Sequence, residues 1–183
     1  MCINYNKEIQ LVTEFYLDKF NIDLSNVKVI DYYDDDNRLG YYEYAFPNKV
    51  NINLYKLKIK TSNTKKDVMY INTLVHELAH LVQYEYSTSL ILPLDKVSAC
   101  AISEKTHSKG IVWSNMLLEI DALLFECLFF YERQLLTTDE IIISAIKRLI
   151  SNMFKDTDKA LLSKCIDRLD NNNFKNFVLN ALV

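Results

Sequence analysis

The chain has only two glycines and two prolines in 183 residues. A turn-rich all-β sandwich needs such residues at nearly every corner, so their scarcity excludes that class and points to long helices. Paired cysteines are missing too. Cys2, Cys100, Cys127 and Cys165 form no C-x-x-C, which removes a structural zinc knuckle and a thioredoxin-type redox motif. No apolar run approaches the roughly 18–20 residues that a membrane span requires. The first ten residues, MCINYNKEIQ, lack the basic and apolar parts of a secretory signal. The net charge is −3, and the Lys and Arg residues are scattered rather than gathered on a basic face. A cytoplasmic protein with reduced thiols, no membrane partner and no nucleic-acid partner is therefore expected.

Half the residues are apolar and a quarter are charged, a globular balance at a length that suits one domain. Ile9, Val12, Phe15, Tyr16 and Phe20 recur at helical spacing, so residues 3–20 read as an amphipathic helix. The pattern then changes. Val27–Tyr33 and Tyr41–Phe46 are rich in β-branched and aromatic residues, and 49–57 alternates at period two over Val50, Ile52 and Leu54. Three short strands in a meander, a mostly antiparallel sheet, are expected. Helical patterns follow over 67–86 and, strongly apolar, over 111–136, with a weaker stretch at 87–110 between them. Thr137 and Glu140 fit a capping box that opens a helix over 139–154, and shorter helical pieces are expected at about 157–169 and 173–182. The reading is one α+β domain over 1–183, with a core at 1–136 and a helical extension at 137–183.

Chemistry concentrates in the helix at 67–86, where the chain reads His76-Glu77-Leu78-Ala79-His80. Residues four apart on a helix lie one turn apart on one face. Two imidazoles so placed can grip one Zn²⁺, and the intervening Glu can reach a water on the ion without ligating it. Chance would produce this H-E-x-x-H pattern about once in several hundred shuffled chains of this composition, so coincidence is the weaker explanation. A catalytic zinc site needs a third protein ligand and an open fourth position. Glu119 qualifies, as an acidic residue on the most apolar helix; so do Asp121, on another face of that helix, and His107 just before it.

HELAH followed by a helix carrying Glu119-x-x-Ala122-x-x-Phe125 resembles the gluzincin metallopeptidases, above all the small ImmA/IrrE-like and related phage or bacterial zincins. The resemblance spans roughly residues 40–130. It implies a zincin-like fold, with His76, His80 and Glu119 as zinc ligands and Glu77 as general base. It also implies a substrate-pairing strand before the active-site helix, which Val50–Leu54 would supply. Where membrane-bound zincins carry an Asp four residues after the third ligand this chain has Leu123, and Glu126 is the carboxylate left to support the site. A second resemblance, to SprT-like proteases, rests on His107, Gly110, Trp113 and Met116, although Ser108 and Lys109 separate His107 from Gly110.

The expectation is a zinc-dependent metallopeptidase acting on a protein or peptide, encoded by a bacterium, phage or mobile element and working in a cytoplasm. If His107 is not a ligand, it is a candidate donor to the tetrahedral intermediate, and Tyr42, Tyr44 and Tyr84 are the nearest tyrosines for the same role. Two other readings stand beside this one. A zinc-holding interaction module with vestigial activity would be indifferent to loss of Glu77, and a SprT-like protease would respond to DNA.

Overall fold

The computed structural model describes residues 5–35, 38–43, 46, 48–53, 66–91, 111–133, 166, 167, 169 and 171–181. Among them are four helices and three strands. The chain divides into two compact units, Met1–Tyr86 and Ser87–Val183. Among the described residues no helix is long and apolar enough to cross a membrane. The expected helix at 139–154 with its Thr137–Glu140 cap, and most of that at 157–169, lie outside the described residues.

In the first unit, α1 runs over Asn6–Phe20. Glu8 in its first turn and Lys19 in its last complement the helix dipole. It stops where Asn21 turns left-handed at φ 55°, the Asn21 N–H donating to the Leu17 carbonyl. Asn tolerates that conformation because its short side chain can bond locally. Val12, Phe15 and Tyr16 form the buried face. The Tyr16 hydroxyl donates to the Val75 carbonyl at 2.9 Å, so a buried phenol finds its partner in the long helix α2, Lys66–Glu85.

Strands β1 (Lys28–Tyr32), β2 (Gly40–Tyr42) and β3 (Lys49–Asn53) form one sheet in the order β1-β3-β2. The expected meander is wrong, and the sheet is mixed rather than mostly antiparallel. β3 lies in the centre, parallel to β1 with Val29 beside Val50, and antiparallel to β2 with Gly40 opposite Ile52. The polar half of the alternation fits a central strand. Asn51 and Asn53 are buried, not solvated. Asn53 donates its side-chain amide to the Asp34 carbonyl at 3.0 Å and its backbone N–H to the Leu39 carbonyl at 2.7 Å. The first ties Asp34, just past β1, to the end of β3, and the second continues the β2–β3 ladder by one residue. A central strand with neighbours on both edges must satisfy its buried amides internally, and these do.

The other face of the sheet carries Val50, Ile52, Asp31, Gly40 and Tyr42, and α2 packs on it. Each contact is specific. The Tyr70 hydroxyl donates to Asp31 at 3.1 Å, while Tyr5 stacks on the Tyr70 ring at 3.7 Å between centroids. The Tyr42 hydroxyl donates to Glu85 at 2.6 Å. Burial with the neighbouring carboxylate keeps Tyr42 protonated far past its ordinary range, and Tyr70 likewise.

In the second unit, α3 spans Ile111–Arg133 and α4 spans Asn172–Ala181. Asn171 caps α4 by accepting from the N–H groups of Asn173 and Phe174 at 3.0 and 3.1 Å. Phe174 and Val178, one turn apart, are buried, and the Tyr131 ring of α3 lies 5.5 Å from Phe174 and 5.3 Å from Phe177. The exposed ion pair between Lys175 and Asp167 adds little beside that aromatic contact.

Candidate metal centre

Helix α2 is buried nearly all round. From Tyr70 to Tyr84 the side chains that retain exposure are Asn72, His76, His80 and Tyr84, a single stripe at steps of four. Both histidines therefore stand on the one accessible face of an otherwise buried helix. Apolar residues around the rest, among them Leu74, Val75, Leu78, Leu81 and Val82, anchor it. Each fully buried side chain of this kind contributes on the order of 1.5–3 kcal/mol.

The two rings stand edge to face with centroids 4.8 Å apart, and the His76 and His80 Nε2 atoms lie 3.2 Å apart. Two nitrogens at zinc–nitrogen distances of about 2.0–2.1 Å, on adjacent corners of a tetrahedron, stand roughly 3.3–3.4 Å apart. The pair thus matches the edge a tetrahedral ion needs. His80 Nδ1 lies 3.0 Å from the Oε1 of Gln83. Gln83 was not among the residues singled out from the motif. Its signal was nevertheless local, since residues three apart on a helix adjoin one another.

Glu77 is 8 % exposed, beside the histidine stripe rather than on it. Against it lies Gly40 of β2. A Cβ on Gly40 would sit 3.0 Å from the Glu77 Cγ, 2.8 Å from the Thr73 Cγ2 and 2.9 Å from the Asn51 carbonyl oxygen. One of the two glycines thus stands where a strand backbone approaches the helix too closely for a side chain. The strand beside Glu77 is therefore β2, at the sheet's edge. Of the segment Val50–Leu54 expected to pair with substrate, residues 50–53 lie in β3, which is already paired with β1 and β2, and Leu54 lies outside the described residues.

On α3, every side chain from Leu118 to Phe130 is buried except Glu119 and Leu123, again a stripe at a step of four. The carboxylates of this helix have separate fates. Asp121 is buried, and its Oδ1 accepts from the backbone N–H groups of Leu90 and Ile91 at 2.8 and 3.2 Å. That commits Asp121 to holding the Ser89–Ile91 segment. Glu126 is also buried. Glu119 keeps an accessible carboxylate, and His76, His80 and Glu119 make a group that could hold a metal ion, their ligand atoms all within 4.8 Å of one another. His107 and Tyr44 lie outside the described residues. The Tyr42 hydroxyl is engaged with Glu85, and the Tyr42 and Tyr84 rings lie 5.7 Å apart.

Comparison with protein-family models, with curated proteins and with solved structures finds no match to this chain.

Proposed function

We propose that this protein is a zinc-dependent metallopeptidase with a zincin-like site. The observation that carries the reading is the group formed by His76, His80 and Glu119, with the base-bearing Glu77 one residue from the first ligand. Two imidazoles and one carboxylate are the donor set of catalytic His₂Glu zinc sites, which keep a fourth position open. Harder cations such as Mg²⁺ or Ca²⁺ favour all-oxygen cages, so the nitrogen pair favours zinc among common ions. A zinc ion in such a site supplies Lewis acidity and lowers the pKa of its water to about 7.

The chain's own groups do the rest. His76, His80 and Glu119 bind, while Glu77 takes the proton of the attacking water and passes it to the leaving amine. Gly40 sets where the Glu77 side chain can lie. An extended peptide adds to the outer edge of β2, whose inner edge is already paired with β3.

The test is Glu77→Gln in the full chain, assayed against an unbiased peptide library at one equivalent of zinc. Cleavage should fall by about 10²–10⁴-fold, the usual worth of a general base, with zinc content unchanged. Undiminished cleavage rejects the assignment of Glu77. A wild-type chain that retains no zinc rejects the centre itself.

A further inference from the structure

We infer that Gln83 is a positioning residue for this centre: its side-chain oxygen holds His80 in the tautomer, and at the ring angle, that presents a bare Nε2 to the ion. The inference rests on the metal site proposed above. It goes further in assigning a role to a residue outside the H-E-x-x-H pattern.

A Gln Oε1 can only accept, so the contact of 3.0 Å requires the proton of neutral His80 to sit on Nδ1. Nε2 then carries the lone pair, and Nε2 is the atom 3.2 Å from the corresponding atom of His76. A ring turned over about χ2, or the other tautomer, would present a C–H or an N–H to the ion instead. Both alternatives are disfavoured while the acceptor stays in place. Gln83 is 1 % exposed, so its side chain lies in the core and water does not compete for the contact. Metal-binding histidines commonly gain affinity from such a partner on the second ring nitrogen. In this chain a neutral amide one helical turn further along α2 fills that place, and both groups belong to the same rigid element.

Zinc affinity, measured by chelator competition on the full chain with zinc alone as the probe, tests the role. Gln83→Leu keeps the side chain's size and removes the acceptor; it should weaken zinc binding about 10–100-fold, the usual cost of losing such a partner. Gln83→Glu restores an acceptor and should return affinity to within a few-fold of wild type. Val82→Ala, next in sequence and buried, loosens the same turn without touching the ring and should leave affinity unchanged. Equal affinity in Gln83→Leu and wild type overturns the role of Gln83 and leaves the metal centre standing. So does a loss in Val82→Ala as large as that in Gln83→Leu, or a Glu variant as weak as the Leu variant. A wild-type chain that binds no zinc overturns both.

Discussion

Replacing Gly40 with Ala tests the packing that places Glu77. The added methyl carbon would meet the Thr73 Cγ2 at 2.8 Å, the Asn51 carbonyl oxygen at 2.9 Å and the Glu77 Cγ at 3.0 Å, all well inside ordinary contact distance. The Thr73 hydroxyl donates to the Met69 carbonyl at 2.9 Å, which pins its rotamer, and the Asn51 oxygen belongs to the central strand. Of the three neighbours, Glu77 gives way most easily. Overpacking of this kind costs about 1–3 kcal/mol. Ala offsets about 0.5–1 kcal/mol of that by restricting the unfolded chain and favouring extended backbone. A net loss of about 1–2 kcal/mol is expected, read by urea denaturation of the metal-loaded chain. Displacing a general base by a few tenths of an ångström to one ångström costs up to about 10²-fold in rate. Peptide cleavage should therefore fall by about 10–100-fold while zinc stoichiometry holds. A Gly40→Ala chain as stable and as active as wild type would refute the close approach of β2 to Glu77.

Two other perturbations bear on the scaffold. Burial raises the Asp31 carboxyl above the ordinary carboxylate range against the pull of the Tyr70 hydroxyl. A raised folded value means stability that is full below the unfolded value and declines as pH rises through the folded one. Asp31→Asn keeps an acceptor for Tyr70 and cannot ionise, so its melting temperature should gain on wild type as pH rises from about 3 to 7; a gap that narrows with rising pH counters the burial argument. Asp121→Ala would leave the part-buried Leu90 N–H without this acceptor and the Ile91 N–H with Ser89 Oγ at 3.2 Å, at a cost of about 1–3 kcal/mol. Hydrogen exchange at those two amides should quicken markedly, and unchanged protection would remove Asp121 from that role.

The H-E-x-x-H pair was legible in the chain because its geometry is intrinsic to the helix. Once residues 66–85 are helical, a spacing of four brings His76 and His80 together whatever surrounds them. Helix α1 was legible for the same reason, since apolar periodicity is a local signal. The sheet was not. Alternation over Val50 and Ile52 shows that a strand has a core face, but the same pattern serves a central strand or an edge. The bonds that accompany the central position, from Asn53 to Asp34 and Leu39, join residues distant in sequence. Burial of Asn51 and Asn53 ran against the usual meaning of a polar residue in alternation.

Local spacing, then, was enough to determine the helix, its two imidazoles and the carboxylate between them, together with the scarcity of turns that makes helices dominant. Tertiary structure alone decided that β2 rather than β3 lies beside Glu77, that Gly40 is the residue permitting it, and that Asp121 serves the backbone while Glu119 keeps an accessible carboxylate. The division follows from the range of the forces. Helical register is set by hydrogen bonds four residues long and is written in any twenty-residue window. Strand order, close backbone approach and the fate of a carboxylate depend on partners that become neighbours only when the chain has folded.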